Sequence, residues 1–285
     1  MAEPIRIEAH GATLAARRSL GSGIPIVLLH GGPGMGDYLE PVSAILSPPR
    51  HVLRYDQRGC GESTRDCPCR IEDHVEDLDS VRAFLGADRI HVFGHSWGGL
   101  LAQLYARAHP RHVASLVLCC SAANTGAAYS MEGRGLEERV IGPLRRSANP
   151  GALVSALLMG FPGELGETGF RGIMKRLFKY YFAHPESAPR SGDLARISKA
   201  GWRATNASIR ATPESFLAAL ELDAPVLILQ GRQDPIRETN AVLVARLSAA
   251  VNTWIEDCGH FPWLEKPGEF REALLSFYAK TDTAA

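Results

Sequence analysis

Residues 89–99 read Arg-Ile-His-Val-Phe-Gly-His-Ser-Trp-Gly-Gly, a short apolar run that ends in Gly94-His95-Ser96-Trp97-Gly98-Gly99. The run Arg89–Phe93 has the character of a buried strand, and from Leu100 to Ala108 apolar residues recur at helical spacing. A G-x-S-x-G set between a strand and a helix is the pattern of a serine held in a sharp turn. Such a turn lifts the serine Oγ above a sheet, which requires neighbouring backbones to approach closely; hence the glycines at 94 and 98. The first amides of the following helix then point at any negative charge that develops there. Many glycine-rich βα turns match the bare pattern, and it is the strand before and the helix after that give this one its weight. Ser96 is therefore a candidate nucleophile, and its turn calls for a βα unit on each side.

The rest of the chain supplies them. Ile24–Leu29, His51–Tyr55, Val113–Cys119, Pro225–Leu229 and Asn252–Glu256 read as further strands, nearly all apolar and so buried on both faces. Ile71–Leu85, Thr239–Ala249 and Pro267–Ala279 carry helical spacing between them. Strand–helix alternation of this kind predicts an α/β fold, a mostly parallel sheet flanked by helices. Ile5–Glu8 and Thr13–Arg17 are spaced for an antiparallel hairpin at its start. The alternation stops after Cys120. From about Thr125 to Thr212 the chain is rich in arginine, with helical stretches at Leu136–Arg145, Leu153–Met159 and Gly172–Phe182 and no clear strand. The expected organisation is a catalytic domain from 1–124 and 213–285, with 125–212 as an inserted helical cap.

Two further polar residues fall just past strand ends. The strand Pro225–Leu229 runs into Gly231-Arg232-Gln233-Asp234, and Asn252–Glu256 runs into Gly259-His260-Phe261. In a parallel sheet, the carboxyl ends of the strands form the edge where ligands and catalytic groups collect. A neutral His260 there is suited to take the Ser96 proton, with Asp234 fixing its tautomer, in the chain order Ser, Asp, His. Glu256 and Asp257 are nearer in sequence but too close along the chain to reach the far ring nitrogen.

His30-Gly31-Gly32-Pro33-Gly34, Asp56-Gln57-Arg58-Gly59-Cys60-Gly61-Glu62-Ser63, Gly94–Gly99, Gly231–Asp234 and Cys258–Pro267 together resemble the α/β-hydrolase superfamily, and within it the proline iminopeptidase (prolyl aminopeptidase) family. The resemblance implies the α/β-hydrolase fold and a two-step acyl transfer at Ser96. It also implies an oxyanion hole from the amides of Gly32 and Trp97. It further implies removal of an N-terminal proline, with cap residues binding the substrate. Trp202, in Lys199–Asn206, Glu132 and Tyr181 are the candidates for that role, with Glu137 and Glu138 behind them. The same core serves esterases, lactonases and thioesterases, so these stay open, as does a ligand-binding protein that has kept the hydrolase fold.

The 31 Lys and Arg balance the 31 Asp and Glu among 285 residues, which gives no reason to expect a nucleic-acid or anionic-membrane partner. The expected partner is a small-molecule or short-peptide substrate. Locally, residues 126–212 hold 13 Arg and Lys against 7 Asp and Glu, a balance of +6. No apolar stretch is long enough to span a bilayer, and Met1–Arg18 lacks a signal-like apolar core. With six cysteines unpaired in spacing, a cytoplasmic location is expected. Cys67, Cys69 and His74 do not have zinc-site spacing. No metal or organic cofactor is expected.

Overall fold

The computed structural model describes residues 3–129, 166–189, 197–217, 220 and 222–281. Its strands are β1 (Glu3–Ala9), β2 (Ala12–Ser19), β3 (Ser22–Leu29), β4 (Arg50–Tyr55), β5 (Ile90–His95), β6 (Val113–Cys119), β7 (Val226–Gly231) and β8 (Val251–Ile255). They form one sheet in the order β1-β2-β4-β3-β5-β6-β7-β8. The hairpin β1–β2 is antiparallel and joins β4 antiparallel, while every pairing from β4 to β8 is parallel. This is the predicted α/β architecture.

The helices are α1 (Glu40–Leu46), α2 (Ile71–Phe84), α3 (Trp97–Ala108), α4 (Glu167–Phe178), α5 (Lys199–Ala211), α6 (Thr239–Arg246), α7 (Pro262–Glu265) and α8 (Pro267–Thr281). Helices cover both faces of the sheet, and the strand sequences show it. Val27 and Leu29 of β3 pack in one core with α2, α3 and α6; Ile26 and Leu28 pack in a second core with α1 and α8. Successive side chains point to opposite faces of a strand, so a strand covered on both sides reads as continuously apolar. All six residues of β5 and all seven of β6 are buried.

Two boundaries differ from the sequence reading in a way that matters for the site. The strand β5 continues to His95, and α3 begins at Trp97 rather than near Leu100. Gly98 and Gly99 disguise the first helical turn in the sequence, but packing requires them: a Cβ on Gly98 would lie 2.2 Å from the Leu29 carbonyl oxygen, and one on Gly99 would lie 2.2 Å from Ser121 Oγ. The stretch expected as helix at Gly172–Phe182 is α4 followed by a 3₁₀ turn, Lys179–Tyr181. Leu136–Arg145 and Leu153–Met159 lie outside the described residues. Among the described residues, no helix is long and apolar enough to cross a membrane.

Candidate active site

The chain changes direction in the sheet at β3, which is flanked by β4 on one side and β5 on the other. In open parallel sheets the crevice at such a reversal, beyond the carboxyl ends of the strands, is the usual place for a ligand. The end of β3 carries His30–Gly34 and the end of β5 carries Ser96. A Cβ on Gly31 would sit 2.6 Å from Ser96 Cβ, so the glycine loop lies directly against the serine.

Ser96 has φ 57° and ψ −121°, in the left-handed region that an L residue rarely occupies. Strain of this sort persists only where surrounding structure imposes it. Here Gly94 supports it: a Cβ at 94 would meet the Gly98 carbonyl oxygen at 2.3 Å. Ser96 is the one residue between Ile90 and Ala106 that is not buried. Among the described residues, the amides of Gly32 and Trp97 donate to no protein acceptor.

Asp234 and His260 meet as their strand-end positions suggest. His260 Nδ1 lies 2.9 Å from Asp234 Oδ2, and the carboxylate is fully buried. The same carboxylate accepts from Gln230 Nε2 at 2.6 Å and from the Ile236 amide at 2.9 Å. An ionised carboxylate only accepts, so Nδ1 carries the ring proton and Nε2 is left with a free lone pair. The His260 loop is held from both sides: its amide donates to the Tyr181 carbonyl at 2.8 Å, and its own carbonyl lies 2.8 Å from His95 Nε2. Asp257 and Glu256 are engaged elsewhere. Asp257 pairs with His184 and Lys266, and Glu256 with Arg232.

Of the expected substrate-facing residues, Tyr181 packs its ring over His260 at 5.2 Å between centroids. Burial, helped by the charge of Asp234, pushes the Tyr181 phenol up to about 12, so it remains a protonated hydroxyl. Trp202 packs against Phe170 at 5.2 Å, and its backbone presses on the glycine loop: a Cβ on Gly34 would meet Trp202 N at 2.6 Å. Glu132, Glu137 and Glu138 lie outside the described residues.

The segment Asp56–Ser63 is the scaffold beneath these loops. Gln57 Nε2 donates to the His30 carbonyl at 2.8 Å, while Gln57 Oε1 accepts from Trp97 Nε1 at 2.7 Å, so one side chain ties the two loops together. Arg58 grips Asp77 through Nε at 2.7 Å and an Nη at 2.5 Å. Asp56 accepts the amides of Asp37 and Glu62. Three residues near the site were not singled out for it from sequence: Tyr38, His95 and Cys120. Cys120 follows β6 at φ 44° and offers its sulfur within 4.8 Å of ligand-type atoms of Asp234 and His260. Its sequence signal, two cysteines closing a buried strand, reads as packing alone.

Comparison with known proteins agrees with the fold. Residues 24–145 match the family model described as the alpha/beta hydrolase fold. A proline iminopeptidase from Heyndrickxia coagulans is 27% identical over 269 residues, which covers 90% of this chain and 91% of that protein. A proline iminopeptidase from Lactobacillus delbrueckii subsp. lactis is 39% identical over 108 residues, spanning 35% of this chain and 37% of that protein. Among solved structures, a thermophilic esterase from Thermogutta terrifontis superposes with a TM-score of 0.70 at 24% identity, covering 99% of this chain and 100% of the other. Proline iminopeptidase from Mycobacterium smegmatis superposes with a TM-score of 0.68 at 23% identity, covering 99% of each. These structural likenesses speak for the fold. With its sheet order, its serine turn and the match over residues 24–145, the chain has the α/β-hydrolase fold, and its sequence is similar to those of proline iminopeptidases.

Proposed function

We propose that this protein is a serine hydrolase that cleaves an amide or ester through an acyl-enzyme, acting in the manner of a proline iminopeptidase. The observation that carries the reading is the buried His260–Asp234 pair at the same sheet edge as a strained, solvent-reaching Ser96. In this mechanism Ser96 Oγ attacks the substrate carbonyl while His260 Nε2 takes its proton. Asp234 holds the Nδ1–H tautomer and stabilises the imidazolium. The amides of Gly32 and Trp97 stabilise the oxyanion, a contribution of roughly 3 kcal/mol each in comparable sites. His260 then protonates the leaving group, activates water, and deacylation restores Ser96. Residues 125–212 form the cap in this reading, with Tyr181 and Trp202 on the substrate side.

The test is direct. Ser96→Ala abolishes turnover of p-nitrophenyl esters with the thermal midpoint retained, and a fluorophosphonate modifies Ser96 in the native protein. Near-native hydrolysis by Ser96→Ala sinks the assignment. No modification of Ser96 in folded protein favours a ligand-binding role instead.

A second reading, a small-molecule esterase, lactonase or thioesterase, is favoured by one specific observation. The helix α5, which carries Trp202, has the sequence KAGWRATNASIRA with no carboxylate, and 126–212 has a balance of +6. A site that anchors a cationic amine needs inward carboxylates. Parallel assays on a prolyl-arylamide, short acyl esters and acyl lactones separate the two readings by kcat/KM.

A further inference from the structure

Two polar side chains at the site, the half-buried Tyr38 and the buried His95, have no part in the acyl-transfer steps above. Tyr38 lies in the segment before α1, and its oxygen accepts the Gly31 amide at 2.7 Å. The same oxygen is 2.6 Å from His95 Nδ1, and His95 Nε2 is 2.8 Å from the His260 carbonyl oxygen. The proton positions follow from valence. A carbonyl only accepts, so His95 Nε2 carries the hydrogen and Nδ1 is a bare acceptor; Tyr38 must then donate its O–H to Nδ1. The result is a one-way chain: Gly31 N–H to Tyr38, Tyr38 O–H to His95, His95 Nε2–H to the His260 carbonyl.

We infer that Tyr38 and His95 are positioning residues, whose hydrogen-bonded chain sets the glycine loop, the serine turn and the histidine loop in register with one another. The inference rests on the serine-hydrolase reading of Ser96, Gly32 and His260. Gly31 precedes the proposed oxyanion donor Gly32, His95 precedes Ser96, and the far end of the chain is the backbone of the base itself. Each of the three catalytic loops leaves a different strand or loop of the sheet edge, and this chain joins all of them. Aromatic packing fixes its members: Tyr38 stacks on Trp263 at 6.3 Å between centroids, and Trp263 meets the edge of His95 at 4.7 Å.

The chain works only while His95 is neutral, because a second ring proton at Nδ1 would face the Tyr38 hydrogen. Burial, and then the neighbouring His260 and His30, hold the His95 imidazole well below the ordinary histidine range. Burial likewise pushes the Tyr38 phenol far up, against the Gly31 amide that lowers it, with Cys119, Asp37 and Cys120 adding to the rise. The His95 ring lies 4.6 Å from the His260 ring. When His260 becomes an imidazolium during turnover, a neutral His95 adds no opposing charge at that distance.

The test is Tyr38→Phe, which keeps the ring packing and removes both bonds. Small misplacements of reacting groups cost on the order of 100-fold. The expected result is a kcat lower by about 10- to 100-fold with KM changed less than about threefold, because the loss falls on the transition state. Fluorophosphonate labelling of Ser96 slows in parallel. His95→Ala gives a similar loss, and the double variant falls no further than the worse single, since both cut one chain. A Tyr38→Phe variant that is labelled and turns over within about twofold of the native rate overturns the inference while leaving the serine-hydrolase reading intact. Native protein that is not labelled at Ser96 overturns that reading instead. Nitrogen-15 NMR of the native protein reads the chain without any variant: His95 is expected as the neutral Nε2–H tautomer from pH 5 to 8, and an imidazolium or the Nδ1–H tautomer in that range overturns it.

Discussion

Two aspartates, Asp77 and Asp234, sit almost equally deep, at 1% and 0% exposure, and do opposite things. Asp77 faces a guanidinium, Arg58, in a two-pronged ion pair. Asp234 faces an imidazole, a backbone amide and a carboxamide, and among the described residues it pairs with no Arg or Lys. Arginine keeps its charge at any working pH, so the Asp77 pair is a fixed strut between α2 and the loop after β4. Burial pushes the Asp77 carboxyl up, and the hydrogen bonds and charge of Arg58 pull against that rise. An imidazole can accept a proton and give it back within one reaction, so the proposed Asp234 pair is the place where charge changes during turnover. The lesson is that a buried carboxylate takes its role from its partner's chemistry rather than from its depth.

The largest expected effect tests the Asp234 side. Asp234→Asn places a carboxamide donor against Nδ1 and favours the wrong tautomer, and kcat on an activated ester is expected to fall by about 10⁴-fold with the fold intact. A loss under tenfold would move the acid role elsewhere. On the other side, Arg58→Ala leaves the Asp77 charge buried alone and is expected to cost about 3–5 kcal/mol in urea unfolding. The double variant Arg58→Met with Asp77→Leu recovers most of that loss if the pair is only a strut. Failure to recover would mean that the pair also orders the loops above it.

Acidification sharpens the contrast further. His74 is fully buried, packs on Trp97 and hydrogen-bonds Thr205; burial, with the charge of Arg58, holds its pKa down to about 3. His95 is depressed in the same direction. Below an unfolded value of about 6.5, the unfolded chain binds protons that these two sites refuse, so stability is present above that pH and is lost as pH falls toward the folded values. The slope is about 1.4 kcal/mol per pH unit for each such proton. Denaturant unfolding at pH 7, 6 and 5 should show this decline, and His74→Gln should remove one proton from the slope. A flat profile would contradict both assignments. The smallest effect is expected at Asp257, three residues from His260 but exposed and paired with His184 and Lys266. Asp257→Asn should leave both kcat and the thermal midpoint unchanged; a hundredfold fall in kcat would give Asp257 the role proposed for Asp234.

How much of this was legible in the sequence depended on distance along the chain. The strands from Arg89, Val113 and Pro225 are legible to within a few residues because burial on both faces makes an unbroken apolar run, whereas β8, expected to be buried on both faces, is the edge strand and is exposed at Val251 and Asn252. The sequence pattern sets the start of α3 three residues late because Gly98 and Gly99 answer to packing against Leu29 and Ser121 rather than to helix propensity. Ser96 and the glycine loop were visible because strained backbone leaves glycines behind. Tyr38 left no such mark. It is one tyrosine in a loop, and its two bonds span 7 and 57 residues. Trp202 and Tyr181 are candidates from sequence as substrate-binding aromatics of the cap, yet what brings them near the site is a backbone contact with Gly34 and a carbonyl that receives the His260 amide.

By itself the sequence determined the α/β architecture, the serine turn and the two strand ends that carry Asp234 and His260, because local periodicity and turn chemistry are written in neighbouring residues. Only the tertiary structure decided how the Asp234 carboxylate is held, by Gln230 and the Ile236 amide as well as by the histidine. It also decided that Gln57 ties the glycine loop to Trp97, and that Tyr38 and His95 join three loops in one hydrogen-bonded chain. Apart from the Asp234 contacts with Gln230 and Ile236, those pairings are between residues far apart in the chain. They exist because sheet order brings the ends of β3, β5, β7 and β8 to one edge, with β6 between β5 and β7, where buried polar groups must find partners or lose the free energy of leaving water.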